Sequence, residues 1–451
     1  MPTNKPTGEL MFSNKQLKDM IIPLFLEQLL VMLVGLLDTF IVTYASEAAV
    51  SGVSLVNSFA NVFIMLFTAL SVGGAVVVSQ YLGRGENKLA SEAISQLLMI
   101  STAFSVVITA VVLIFRVPML SAMFGKVEQD VMDACLEYLL ITAFSFPALA
   151  IYNTGAAMYR SIGKTRVTMY ISIISNVINL GGNILGVLVW KMGVAGVAYP
   201  TLISRVFSAV AITILCFKDR YGISYKVKDI FRWDGRLLKQ LMRIAVPNGL
   251  ENGVFQLVKV ALSSMCALFG TYQIAANGIA QSIWSLGALA SIGMGPVFTT
   301  VIGQCMGAGE VDQAKFYFIK LLKISFAVSS AWNLLICAAT PLALGFTALS
   351  EQTITCIIWL VVIHNVAAAF VHPVAFPFGT GLRAAGDVKF TTAVTIFTSV
   401  GIRLLLSWLF AIPMGLGVYG IAIAMAADWV VRAIFFIWRY RSGKWENFKV
   451  I

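Results

Sequence analysis

Long apolar segments alternate with short polar connections along the whole chain. About 20 apolar residues, rising about 1.5 Å each, cross the ~30 Å hydrocarbon core of a bilayer. The pattern therefore predicts an all-α membrane protein with twelve transmembrane helices. The predicted spans are residues 19–43, 50–78, 93–115, 133–158, 167–189, 194–217, 241–268, 273–301, 316–340, 354–377, 390–411 and 418–438.

The stretch Pro23–Tyr44, which contains most of the first span, carries one carboxylate near its far end, Asp38. A charged side chain in the middle of a bilayer costs at least ~2.5 kcal/mol, so it faces protein or water instead of lipid. We therefore expect Asp38 to bind a proton or a cation. The rest of the chain is then expected to be organised around the function of this carboxylate.

Composition agrees with a membrane protein that crosses the bilayer many times. The chain has 451 residues, of which 59% are hydrophobic and 12% charged, whereas soluble domains are roughly 45–50% apolar and ~25% charged. We expect no cleaved signal, because residues 1–19 are polar and no small-residue cleavage site follows. The six cysteines are scattered without a C-x-x-C motif, so we interpret them as core residues.

The basic residues predict an orientation in the membrane. With a cytoplasmic N-terminus, 25 of the 32 Lys and Arg residues fall on the cytoplasmic side and only 3 in the outer connections. This asymmetry follows the positive-inside rule. The net charge of +11 is thus explained by topology and not by binding to nucleic acid. We expect a multi-pass protein of the plasma or inner membrane, with both termini cytoplasmic.

The two halves of the chain repeat. A shift of 224 residues takes Pro23 to Pro247, and a shift of 223 residues takes Arg160 to Arg383. Each half has an even number of predicted spans, so the repeats run parallel and are expected to be related by a pseudo-twofold axis along the membrane normal. Two such six-helix bundles are the plan of a secondary transporter.

The repeat also predicts the domain organisation. The N-terminal bundle is expected at residues 1–217 and the C-terminal bundle, with a short cytoplasmic tail, at 241–451. A basic cytoplasmic linker at 218–240 is expected to join them.

Some polar residues of the first half have apolar counterparts in the second. Scaffold residues should repeat, so residues that break the repeat are better functional candidates. The pairs are Asp38 with Leu262, Asn179 with Ile402, Asn183 with Leu406 and Thr201 with Met425.

Three asparagines of the fifth span, Asn176, Asn179 and Asn183, are spaced three and four residues apart and share one helical face. Such a stripe could be a polar clasp between helices, worth ~0.6–2 kcal/mol per contact. Together with a carboxylate, the amide oxygens could instead hold Na⁺, or the pocket could favour a protonated Asp38. The residues alone leave these alternatives open.

These features together resemble the MATE (multidrug and toxic compound extrusion) family of antiporters, within the MOP transporter superfamily. The motifs are Pro23 followed fifteen residues later by Asp38-Thr39, the Asn179-x-x-x-Asn183 stripe, and the Gly-x-Gly and Leu-Arg-x-x-Gly turns. The resemblance covers essentially the whole chain, including the six-plus-six duplication.

The resemblance implies roles for individual residues. Asp38 matches the cation-coupling aspartate, Asn179 its partner, Thr201 a hydroxyl of the same cation site, and Pro23 the proline at which the first helix bends. Asn183 stands where many members carry a second aspartate. A single carboxylate attracts Na⁺ less strongly, so we favour H⁺ as the coupling ion and keep Na⁺, held by Asp38, Asn179, Asn183 and Thr201, as the alternative.

The second half departs from members that carry acidic ligands there, because Phe255 and His372 occupy the matching positions. His372 could titrate near neutral pH, or it could only cap a helix broken at the adjacent proline. Glu251 has a repeat mate, Glu27, which favours a structural role.

Lys259 and Arg403 are charges within predicted spans that have no counterpart in the first half. We expect Lys259 to line the cleft near a carboxylate, since buried lysines need partners. An intramembrane lysine would suit an anionic or zwitterionic substrate. The residues of an additional polar cleft would be Asn176, Glu251, Lys259 and His372.

The expected function is efflux of organic, amphipathic or cationic small molecules in exchange for H⁺ or Na⁺, by alternating access, with no cofactor and as a monomer. The alternative within the same superfold is a flippase for a lipid-linked precursor, which should have a cationic cleft. With only two His and no nucleophile motif, the chain is not expected to be an enzyme. A channel is disfavoured because no filter segment repeats.

Overall fold

The structure, a computed structural model, describes residues 9–125, 127–219, 221–345, 347, 349–448 and 450–451. Across these residues the regular secondary structure is entirely helical. The chain forms two compact units. We call residues 18–249 the first bundle, and residues 9–17 together with 250–451 the second bundle.

The first bundle contains the helices of the first half and the beginning of the ninth helix. They are α1 (Asn14–Val42), α2 (Glu47–Gly83), α3 (Asn87–Phe124), α4 (Gln129–Ala143), α5 (Phe146–Ser161), α6 (Thr165–Asn183), α7 (Ala195–Phe217), the short α8 (Val227–Ile230) and the first part of α9 (Gly235–Cys266). A π-helical segment, Ile184–Val189, continues α6.

The second bundle contains the remaining helices. They are α10 (Thr271–Ile292), α11 (Gly295–Gly307), α12 (Val311–Leu344), α13 (Glu351–Phe370), α14 (Gly379–Ala384), α15 (Val388–Ile396), α16 (Leu405–Ala411) and α17 (Val418–Arg441). Two π-helical segments, Val374–Phe378 and Phe397–Leu404, interrupt its spans, and a 3-10 turn, Lys444–Asn447, follows α17.

The predicted twelve spans are confirmed as helices or helix pairs. Within the described ranges, ten helices are long and apolar enough to cross a bilayer, and α4 with α5, bent by 45°, forms an eleventh span. The twelfth predicted span is α9, which is 32 residues long. Its lower hydropathy follows from polar residues that it carries at mid-helix, Glu251 and Lys259 among them.

The boundaries of the two bundles differ from the expected 217 and 241. The segment before α1 packs on α12 of the second bundle: the Phe12 amide donates to the Tyr317 hydroxyl at 2.8 Å, and that hydroxyl donates to the Phe12 carbonyl at 2.7 Å. The Met11 amide donates to Gln313 Oε1 at 2.9 Å. The chain therefore passes from one compact unit to the other between Leu17 and Lys18, inside α1.

The expected linker is an integral part of the first bundle. The Ser224 amide donates to Ser91 Oγ at 3.2 Å, and the Lys226 amide donates to Ser95 Oγ at 3.1 Å. Both serines lie on one face of α3. This face therefore supplies hydrogen-bond acceptors for backbone amides of the connection. The same unit continues through the first part of α9, as far as Gly249.

We predict that Tyr317→Phe loosens the segment before α1. The substitution leaves the Phe12 amide and carbonyl without their shared hydroxyl, and one lost hydrogen bond of a buried group costs about 1–3 kcal/mol. Hydrogen exchange at the Phe12 amide should accelerate by about tenfold or more. Tyr170→Phe, at an exposed tyrosine of α6, is the control. Unchanged exchange in the Tyr317 variant would contradict the anchoring role.

Candidate functional site

Asp38 lies beside α6 and is held by an asparagine amide. Asn183 Nδ2 donates to Asp38 Oδ1 at 2.7 Å. The side chain of Asn183 is fully buried, and its Oδ1 has no hydrogen-bond partner among the described residues. A carboxylate and an unfilled amide acceptor therefore lie side by side within the first bundle.

Asn179 and Thr201 complete the group. With the Asn179 amide oriented so that its nitrogen faces Asp38, this nitrogen donates to the two carboxylate oxygens at 2.9 and 3.1 Å, and its oxygen accepts from Thr201 Oγ1 at 3.2 Å. Helices α1, α6 and α7 thus each contribute to one polar group. The structure brings together all four residues that were predicted for the coupling site.

Glycines allow α6 and α7 to approach closely enough for this arrangement. A Cβ built on Gly182 would lie 2.7 Å from Pro200 Cβ, which is closer than packed carbon atoms approach. Just beyond, a Cβ on Gly186 would lie 2.4 Å from the Gly196 carbonyl oxygen. The backbone contact between these elements therefore depends on the absence of side chains at these positions.

The four residues lie at or beside a cavity of about 360 Å³ in the first bundle. Asn176, predicted for an additional polar cleft, lines this cavity instead, and its Nδ2 has no partner among the described residues. The sequence analysis did not single out three further polar lining residues, Asn57, Tyr138 and Arg205. The Tyr138 hydroxyl donates to Asn57 Oδ1 at 3.2 Å, and Arg205 Nη1 donates to Ser145 Oγ at 2.8 Å.

Glu251 forms a largely buried ion pair. Arg383 Nη2 lies 2.6 Å from Glu251 Oε2 in the second bundle, and Arg160 Nη2 lies 2.9 Å from Glu27 Oε1 in the first. The two pairs are related by the sequence repeat, so the same contact joins equivalent helices twice. This placement favours a scaffold role for Glu251 over a place in a polar cleft.

His372 lies in an aromatic cluster. Its ring stacks on Phe376 with centroids 4.0 Å apart, and its edge meets Trp429 at 5.2 Å. The side chain is buried, and Nδ1 has no partner within the described residues. His372 therefore packs between aromatic rings. It is absent from the described lining of the second-bundle cavity that contains Lys259.

Lys259 lines a second cavity, of about 380 Å³, in the second bundle. The expected carboxylate beside it is not found, because none of the lining residues that the structure describes is acidic. Its close neighbour is the ring of Phe255, with Nζ 5.8 Å from the centroid. Lys259 thus lines a cavity as expected, but the expectation of a nearby carboxylate was wrong for the described residues.

A buried ionic cluster behind this cavity was missed. Arg432 Nη2 donates to Asp428 Oδ1 at 3.1 Å and to Ser399 Oγ at 2.9 Å. Arg403 Nε lies 3.9 Å from Asp428 Oδ2. The available signal was the spacing of Asp428 and Arg432, four residues apart within an apolar span, which places them on one helix face.

We predict that Gly182→Ala disrupts the site. The added methyl group must separate α6 from Pro200 of α7, and overpacking of this kind costs about 1–3 kcal/mol. The melting temperature should fall, and the hydrogen bond between Asn179 and Thr201 should weaken. Gly181→Ala is a matched control at the neighbouring position, where a Cβ meets nothing within 4 Å. Equal behaviour of the two variants would contradict the close-packing argument.

Comparison with known proteins gives relatives of similar length. The chain is 29% identical over 430 residues to the uncharacterized transporter YisQ of Bacillus subtilis (strain 168), with 94% of this chain and 93% of that protein aligned. It is 26% identical over 455 residues to the probable multidrug resistance protein NorM of Thermotoga maritima, with 99% and 96% aligned. The fold matches a crystal structure of MATE in complex with MaL6, with TM-score 0.88, 21% identity and coverage of 96% and 97%.

The family model MatE matches the chain twice, at residues 23–185 and 247–409. The second match begins and ends 224 residues after the first, which is the spacing of the sequence repeat. Together the two matches cover well over half of the chain. The chain therefore belongs to the MatE family of multi-pass membrane transporters.

Proposed function

We propose that this chain is an efflux antiporter that exchanges organic amphipathic solutes for protons bound at Asp38. The observation that carries the proposal is the group Asp38, Asn179, Asn183 and Thr201. It combines one carboxylate with amides and a hydroxyl at the edge of a cavity. The name of a relative, a probable multidrug resistance protein, supports the substrate class.

The amides can serve both protonation states of Asp38. A carboxamide carries a donor and an acceptor at its two ends, and rotation by half a turn exchanges them. When Asp38 is charged, the amide nitrogens of Asn179 and Asn183 donate to it. When Asp38 is protonated, an amide oxygen accepts its proton in a hydrogen bond, so neither state leaves the acid unsatisfied.

The count of charges favours H⁺ over Na⁺. Sodium is a hard cation, and hard cations are bound by several oxygen ligands, usually carboxylates among them. Here Asp38 is the one carboxylate that the described cavity lining contains, and the nearest amide nitrogens point hydrogens towards it. A proton requires only one acceptor, whereas Arg205, which also lines the cavity, opposes the entry of a metal cation.

Transport follows from two conformations that the ligands stabilise differently. Protonation removes the charge that α6 binds through its amides, so it changes how α1 packs against α6 and α7. Pro23 removes one backbone hydrogen bond from α1, which lowers the cost of bending it. Solute export and proton entry are coupled because each ligand favours one of the same two states.

We also propose that both termini are cytoplasmic and that the protein resides in the plasma or inner membrane as a monomer. The support is the basic side of the topology, which carries 25 of 32 Lys and Arg residues. Solutes then leave the cell while protons enter it.

We predict that Asp38→Asn abolishes gradient-driven efflux, because an amide cannot exchange a proton in the physiological range. The measurement is dye transport in proteoliposomes under separately imposed pH and Na⁺ gradients. Asp19→Asn is the control: Asp19 lies on the same helix in an exposed ion pair with Arg166, and such pairs contribute little. Efflux by the Asp38 variant at the rate of the unmodified protein would exclude the mechanism.

We predict that Asn183→Asp shifts coupling towards Na⁺. A second carboxylate beside Asp38 adds attraction of about 4 kcal/mol for a cation at 4 Å and an effective dielectric constant of 20. The apparent affinity for Na⁺ in the same assay should rise by at least about tenfold. If the unmodified protein already responds to Na⁺ alone, H⁺ is not its coupling ion.

A further inference from the structure

The cavity of the second bundle has a charge of one sign. Two charged side chains are found among its described lining residues, and both are positive. Lys259 comes from α9, and Arg403 comes from the π-helical segment Phe397–Leu404. They flank one aromatic ring: Lys259 Nζ lies 5.8 Å and Arg403 Cζ lies 5.4 Å from the centroid of Phe255. Two cations at one ring repel each other, so the cavity holds unbalanced positive charge.

Arg403 is buried without adequate compensation. Its side chain is only 3% exposed, and its acidic neighbour, Asp428, is 3.9 Å away. Asp428 is bound more closely by Arg432, at 3.1 Å, so one carboxylate serves two guanidinium groups. Arg403 Nε has no hydrogen-bond partner among the described residues. A buried donor of this kind costs free energy until an acceptor arrives.

Lys259 has no ion pair with any residue that the structure describes. It is exposed to the cavity, in the half of α9 that belongs to the second bundle. Its repeat position in the first half is Gly35. The two cavities therefore differ in charge: that of the first bundle is lined by Asp38 together with Arg205, and that of the second by Lys259 and Arg403.

The walls of the cavity suit an aromatic ligand with an anionic end. Phe255 and Trp284 offer aromatic surface, while Asn277 and Gln281 offer amide donors beside the cations. A volume of about 380 Å³ falls in the range of sites for small molecules and is small for the headgroup of a lipid-linked oligosaccharide.

We propose that this cavity binds the carboxylate of an aromatic, amphipathic solute, with Lys259 and Arg403 as the groups that hold the carboxylate. The proposal rests on the transport function proposed above and specifies its substrate class. Arg403 gains the acceptor that it lacks, and Lys259 gains a counter-ion. A purely cationic solute would meet two like charges and would be rejected.

The test compares two probes that share one aromatic group and differ in charge. Pyrenebutyrate and pyrenebutyltrimethylammonium are titrated by fluorescence into the full-length protein in nanodiscs, with empty nanodiscs subtracted. The unmodified protein should bind the carboxylate probe at least about tenfold more tightly, as expected for charge-assisted contacts. Equal binding, or preference for the ammonium probe, would overturn the proposal without recourse to any variant.

Variants assign the preference to the cavity. Lys259→Met should weaken pyrenebutyrate binding by about tenfold or more, and Lys259→Arg should retain it. Lys323→Met is the matched control, at an exposed lysine of α12 in the same bundle. If Lys259→Met and Lys323→Met bind the probe equally well, Lys259 does not hold the carboxylate. Size-exclusion profiles identify any variant that fails to fold. If Lys259→Met fails to fold, Lys259→Arg decides: a folded Lys259→Arg protein that retains pyrenebutyrate binding supports the proposal, and one that loses it contradicts the proposal.

Competition separates a solute from a lipid. Benzoate should displace pyrenebutyrate, whereas displacement by phosphatidylglycerol and not by benzoate would assign the cavity to lipid phosphate and refute the solute proposal. Binding at equilibrium needs no ion gradient. Absence of gradient-driven efflux by the unmodified protein would therefore refute the antiport mechanism and leave this site standing. Equal binding of the two probes would refute this site and leave the antiport mechanism standing.

Discussion

A carboxylate in the hydrocarbon region must be given polar partners, and the first bundle is arranged around that requirement. The Asp38 oxygens accept from amides that α6 presents one turn apart, and α7 supplies the hydroxyl behind them. The contact of Asn179 with Thr201 would not form if α6 and α7 were separated by an ordinary interhelical distance. The group around the acid therefore also depends on the close approach of Gly182 to Pro200.

The duplicated halves separate what supports the fold from what carries the chemistry. The pairs Glu27–Arg160 and Glu251–Arg383 occur at equivalent positions and join equivalent helices. Breaking such a buried pair costs about 3–5 kcal/mol, which explains why both copies keep it. The cavities, in contrast, differ in charge: a carboxylate and a guanidinium line the first, whereas two cations line the second. Under the two proposals, the proton and the anionic solute would bind in different halves and would not compete for one site.

Much of this organisation could be predicted from the sequence. Apolar length predicted twelve spans, and loss of repeat symmetry selected Asp38 and the residues that contact it. The ionic cluster of Asp428, Arg432 and Arg403 was not predicted. Asp428 is an acid within an apolar span, and Arg432 follows it by one helical turn. The missing carboxylate beside Lys259 could not be predicted, since helical periodicity gives the face of a residue but not the distance between helices. The bundle boundaries were also beyond reach, because they depend on hydrogen bonds from backbone to side chain at Tyr317 and Ser91.

Helix α1 begins in one compact unit and carries its acid in the other. From Leu17 to Asp38 it is continuous, which at 1.5 Å per residue amounts to roughly 30 Å of helix. Because the helix is continuous, a tilt at the acid would be carried along it towards Leu17 unless the helix bends. Pro23 lies close to Leu17, and bending of the helix at Pro23 would reduce the tilt that reaches the beginning of α1. The position of the proline, and not its presence alone, then decides how much of a tilt at Asp38 reaches the segment before α1.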